Sequence, residues 1–133
     1  MAKNTARVRI SRNIYLVLAF IFLSCVAVQI FLAGMAIFIT PAHWMNHIFF
    51  IHLFGFNLPV LMLLFALAGA MPRWAYWQLF GIFFLVFLMY FTANITGSLP
   101  WAGAMHPVIA VLLFLLSWKI VRKSITFIRK NNQ

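Results

Sequence analysis

Four stretches of this 133-residue chain are apolar for long enough to cross a lipid bilayer, and that feature limits the fold more than any other. They run over about 14–39, 48–71, 74–94 and 101–121. A helix of about 20 residues covers the ~30 Å hydrocarbon layer. Each stretch is continuously apolar, without the two-residue alternation of a barrel strand, which selects helices. The intervening links are short, and short links make successive helices antiparallel neighbours. The expected fold is all-α: a four-helix transmembrane bundle, up-down-up-down, forming one membrane domain over 1–133. Apolar residues make up 66% of the chain. A soluble domain of this size has no means of burying that much. The first stretch follows basic residues as a signal peptide would, but it is about twice the length of a signal's apolar region, so it is read as a retained helix.

The charges orient the bundle. There are 10 Lys and Arg and no Asp or Glu. Lys3, Arg7, Arg9 and Arg12 precede the first stretch, and Arg73 separates the second from the third. Lys119, Arg122, Lys123, Arg129 and Lys130 close the fourth. The two other links hold no Lys or Arg, so every cation falls on one side, which the positive-inside rule makes cytoplasmic. Both termini are expected there, with basic tails over 1–13 and 122–133, in the cell membrane of a bacterium. The net charge of +10 then serves topology and contact with anionic lipids, and nucleic acid is not an expected partner. Trp44, Trp74, Trp77 and Trp101 fall near helix ends, where an aromatic belt belongs. The segment 120–128 mixes apolar and basic residues and reads as an interfacial extension of the fourth helix.

The missing carboxylates remove whole classes of function. No acidic general acid or base, no acidic proton relay and no oxygen cage for Ca²⁺ or Mg²⁺ is available. Cys25 is the single cysteine, so there is no internal disulfide and no cysteine-rich metal site.

Histidines carry what chemistry remains, and all four lie toward the uncharged side. His43 and His47 are in the link before the second helix, His52 is about one turn inside it, and His106 is near the outer end of the fourth. Gln29 of the first helix reaches the same depth. Polar groups in hydrocarbon are costly unless they face the bundle interior, so Gln29, His52 and His106 are expected to converge on a ligand-binding pocket. His43, His47, Asn57 and Tyr90 are secondary polar positions. A structural reading competes, in which these groups only hydrogen-bond between helices. In the ligand reading, His52 and His106 supply nitrogens to a metal or, in its sharpest version, to haem b. The alternatives are a quinone, a lipid or another apolar ligand. Haem faces a difficulty, because no Lys or Arg lies on that side to pair with propionates. Pro107 places His106 beside a backbone irregularity: the fourth helix starts at Pro107, or it starts near Pro100 and kinks.

The motifs Val28-Gln29-Ile30-Phe31-Leu32-Ala33-Gly34, His52-x-x-Gly55 and Ala104-Met105-His106-Pro107-Val108 resemble those of a family of small bacterial four-helix membrane proteins classed as a domain of unknown function. The resemblance covers about 14–123, and Met105 departs from the commoner Leu. It implies a fold and a membrane location, supplies no activity, and marks Gln29, His52 and His106 as shared polar positions. A looser likeness to b-type cytochrome bundles rests on architecture alone. The expected function is non-enzymatic: a small polytopic membrane protein with an outer-leaflet pocket for an apolar or metal-bearing ligand. The alternative is a structural or assembly subunit that packs on a protein partner or on a second copy of itself.

Overall fold

The computed structural model describes residues 5–132; Lys3 of the N-terminal basic group lies outside them. Five helices follow in order: α1 Ala6–Phe38, α2 His43–Phe54, α3 Asn57–Ala68, α4 Arg73–Ile95 and α5 Pro100–Asn132. With α2 and α3 taken together as His43–Ala68, they form four helical units long and apolar enough to cross a membrane. Each unit starts and stops for a local reason. Thr5, extended at φ −70° and ψ 157°, accepts the Val8 N–H at the head of α1. Pro41 ends α1, since the residue before proline avoids the helical region. The turn is tight enough that α2 already begins at His43, so His43 and His47 stand on a helix and not in a link. Pro100 occupies the first position of α5, where its missing N–H costs nothing. Pro107 is inside α5, and the helix runs through it without interruption to Asn132. The segment 120–128 therefore continues the same helix.

The second stretch is broken, and Pro59 explains the break. Proline donates no N–H to the carbonyl four residues back, and its ring crowds that carbonyl, here Gly55. Regular bonding stops with the Gly55 N–H on Ile51 O and resumes with the Val60 N–H on Phe56 O. The Asn57 amide turns back to donate to Leu53 O at 2.8 Å, repairing one of the disturbed acceptors.

The core stripes follow the helical period. Tyr15, Ala19, Phe22 and Val26 of α1 meet Met62 and Ala66 of α3, Ala75, Leu79, Ile82 and Val86 of α4, and Leu113 and Ile120 of α5. The outward faces are just as apolar: Phe49 is 71% exposed and Phe80 64%. A surface of this kind suits acyl chains and would aggregate in water. The chain is a small multi-pass membrane protein with an all-α bundle.

One end is held by Arg12. Helix α3 closes in a Schellman arrangement, with the Met71 N–H on Ala66 O, the Ala70 N–H on Leu67 O, and Ala70 left-handed at φ 44°. Arg12 donates its Nε–H to Gly69 O at 2.8 Å and an Nη to Ala70 O at 3.5 Å. Its guanidinium lies 4.9 Å from the Phe127 ring centroid. A cation thus meets the negative end of a helix. A Cβ on Gly69 would come within 3.2 Å of the Arg12 backbone nitrogen, so glycine is what allows this approach.

Among the described residues, α1 packs on α2, α3 and α5, and α4 packs on α3 and α5. The backbone of helix α2 approaches α1 alone: apart from its junction with α3, none of its Cα atoms comes within 8 Å of another helix, and only side chains reach α4 and α5. Below the Pro59 break the second unit belongs to the bundle. Above it, that unit leans away from α4 and α5.

Candidate functional site

The departure of α2 leaves a wedge. It is a cavity of about 680 Å³ walled by α1, α2, α4 and α5, at the end of the molecule roughly 25 Å along α1 from Arg12. His47 and His52 face it from α2, Tyr90 and Asn94 from α4, His106 from α5, and Gln29 from α1. Trp44, Ile48, Ile51 and Met89 supply apolar walls, and no Lys, Arg or carboxylate lines it.

Two of the imidazoles are fixed in the same tautomer. His47 Nδ1 lies 3.1 Å from the Gln29 backbone oxygen, which only accepts, so Nδ1 carries the proton. Gln29 answers with its amide, Nε2 donating to the His47 carbonyl at 2.9 Å. This reciprocal pair ties α2 to α1, together with the Phe22–Phe54 ring contact at 5.7 Å. His106 Nδ1 lies 3.0 Å from Thr92 Oγ1. The single Thr92 proton is already directed to Leu88 O at 2.8 Å, with Met89 O at 3.2 Å, so Thr92 accepts from His106. In both rings the Nε2 atom therefore holds an available lone pair. The two rings are 6.5 Å apart between centroids. Gln29 Oε1 is a third acceptor, buried without a hydrogen-bond partner.

His52 is placed differently. It is exposed at the flank of α2, with Nδ1 3.2 Å from Tyr90 Oη and the rings 5.4 Å apart. Tyr90 stacks in turn on Phe56, and Phe56 on Phe83. This column of rings spans the wedge from the break in the second unit to α4. Gly103 and Pro107 bring backbone into the lining. A Cβ at Gly103 would sit 2.6 Å from Thr96 Oγ1, so the start of α5 fits under Thr96 only as glycine. Pro107, lacking an N–H, leaves Gly103 O without its i+4 donor.

Of the residues singled out in the sequence, Gln29, His52 and His106 all line the cavity, as do His47 and Tyr90. The ring beside His106 is that of His47, while the ring beside His52 is that of Tyr90. His43 bonds to Asn46 and Asn57 caps the break, and neither lines the cavity. Thr92 is not among the residues singled out in the sequence, where Asn94 and Thr96 read only as a chance Asn-Ile-Thr glycosylation sequon at the membrane edge. Met89 and Ala93, four residues apart on one face of α4, line the cavity with Thr96 just past the end of that helix.

The donor set does not match haem. The lining holds no cation for two propionates, and His52 and His106 each have a different neighbour. Among the described residues there is no group of three or more metal-ligating side chains. Two imidazoles fall short of the four-ligand shell of structural zinc.

Residues 29–97 match the model of a family described as a family of unknown function (DUF6220). The chain belongs to that family. The DUF6220 segment begins at Gln29 and takes in His47, His52, Tyr90 and Thr92, so three walls of the cavity lie within it. His106 and the rest of α5 lie beyond it. No curated protein and no solved structure matches the chain.

Proposed function

We propose that this protein is a non-enzymatic ligand-binding protein of the bacterial cell membrane, and that its wedge takes an uncharged apolar molecule bearing hydroxyl or N–H donors. The observation that carries this reading is the pair of Nε2 acceptors, on His47 and His106, in a cavity of about 680 Å³ without a single charged side chain. Acceptors in an apolar site select donors, and an unmet partner on either side costs about 1–3 kcal/mol. A hydroxylated ring or a quinol fits these requirements, whereas a fully oxidised quinone offers only acceptors. Ionic ligands are disfavoured by the uncharged lining. The clustering of the basic residues supports a reading of both chain ends as cytoplasmic, with the wedge in the outer leaflet of an up-down-up-down bundle.

The test is a fluorescence titration of the purified protein with a short-tailed hydroquinone and with its dimethyl ether, which has no donor. The hydroquinone should quench Trp44, and the quench should vanish in Trp44→Phe. His47→Leu and His106→Leu should each weaken binding at least about tenfold. Equal binding of the hydroquinone and its ether would sink the proposal.

A second reading draws on the same lean of α2: the wedge receives a transmembrane helix of a partner subunit or of another copy. It predicts intermolecular crosslinks from a photoreactive group at Ile48 or Ala93 in native membranes. Crosslinks confined to lipid would count against it.

A further inference from the structure

We infer that the cleft between the start of α4 and the last third of α5 is a binding site for the phosphodiester headgroup of an anionic phospholipid. It lies at the Arg12 end, away from the histidine wedge, and measures about 530 Å³. Lys119, Arg122, Lys123 and Lys130 line it together with Trp74 and Trp118. The cations recur at spacings of three, one and seven along α5, which gathers them on one face of the helix. Lys123 Nζ is held 4.7 Å over the Trp74 ring centroid, and the Phe127 ring meets Trp74 edge-on at 6.1 Å. The ammonium is therefore positioned and not merely tethered.

Charge balance then points outside the chain. Four like charges share one cleft, and with no Asp or Glu among 133 residues no side chain is available to neutralise them. The anion has to be supplied by the surroundings. Both tryptophans fix the depth, because indole rings favour the level of the headgroups. Beyond them the flank of α4 and α5 is apolar, with Trp77 72% exposed and Leu115 55%. A phosphodiester carrying two acyl chains uses both parts of this surface, the cations and the apolar flank. Inorganic phosphate would use only the first. A basic recess between membrane helices is a recurrent way of holding anionic headgroups.

Native mass spectrometry of the full chain released from detergent decides the matter, after titration with phosphatidylglycerol or phosphatidylcholine of matched acyl chains. The expected result is one retained phosphatidylglycerol per chain, with phosphatidylcholine weaker by about tenfold or more. Arg122→Gln/Lys123→Gln should abolish that preference, and Lys119→Gln/Lys130→Gln provides a second pair should the first fail to fold. Arg7→Gln/Arg9→Gln removes the same charge from α1 and should keep it. Equal retention of the two lipids, or an equal loss in the α1 variant, overturns the site in favour of diffuse attraction. Protection by millimolar inorganic phosphate with no lipid preference also overturns it, assigning the cleft to a free anion.

Discussion

A histidine inside a membrane protein is defined by what its Nδ1 touches, because that contact decides what Nε2 offers. His47 Nδ1 meets a carbonyl and His106 Nδ1 meets a hydroxyl whose proton is committed to Leu88 O. Nitrogen-15 shifts of the imidazoles should therefore report Nδ1–H and bare Nε2 for both rings. Thr92→Val should disturb His106 alone; a shift at His47 of similar size would show that the rings are coupled directly. Arg12 is the other residue whose effect exceeds its size, since one guanidinium stops α3, braces α1 and faces Phe127. Arg12→Met should lower stability in detergent by about 1–3 kcal/mol, read from thermal melts, and Arg12→Lys should recover part of it. These pairings were not legible beforehand. The sequence shows which polar groups share a depth, but Gln29 meets His47 and not His52 because of the angle at which α2 leaves the bundle. No residue-by-residue reading of period and depth contains that angle.

The lean of α2 belongs to the element scale, and it depends on one proline. Long uncharged runs made the four membrane-crossing units readable, because nothing but a helix satisfies every backbone group in lipid. In the sequence Pro59 falls on one helix face with His52 and Gly55, seven and four residues on. That pattern carries no sign of a break, since prolines in membrane helices are often accommodated without one. Pro107 is an example: it sits inside α5, which continues through it. Pro59→Leu restores the missing N–H and removes the clash with Gly55 O. The second unit should then straighten and the wedge narrow. Spin labels on Ile48→Cys and Asn94→Cys, in a Cys25→Ser background, should move closer together in that variant and the hydroquinone should bind more weakly. An unchanged distance would show that the Gln29–His47 pair, and not the proline, holds α2 in place.

For the molecule as a whole, the absence of acidic side chains has a thermodynamic signature. Acid unfolding of most proteins is the protonation of carboxylates that were paired or hydrogen-bonded in the native state. Here that route is closed, since no Asp or Glu exists. Any acid-induced fall of the melting temperature in a non-ionic detergent should come instead from half-buried neutral imidazoles taking up a proton, and should shrink in His47→Leu/His106→Leu; an acid transition unchanged in that variant would contradict this. The one-sided basic charge was plain in the sequence, and Arg12 against Phe127 brings two of its segments together in space. The cleft that gathers four of those cations was not, because it needs Trp74 of α4 to close it. The gap beside α2 has one further implication. A ligand held as proposed in a wedge among membrane-spanning helices would enter from among the lipid tails and not from the aqueous phase. Under that proposal the occupancy of the wedge would follow the mole fraction of ligand in the leaflet, not its molarity in buffer. A longer tail would raise the apparent affinity with no new contact to the protein, and aqueous washing would leave the ligand in place.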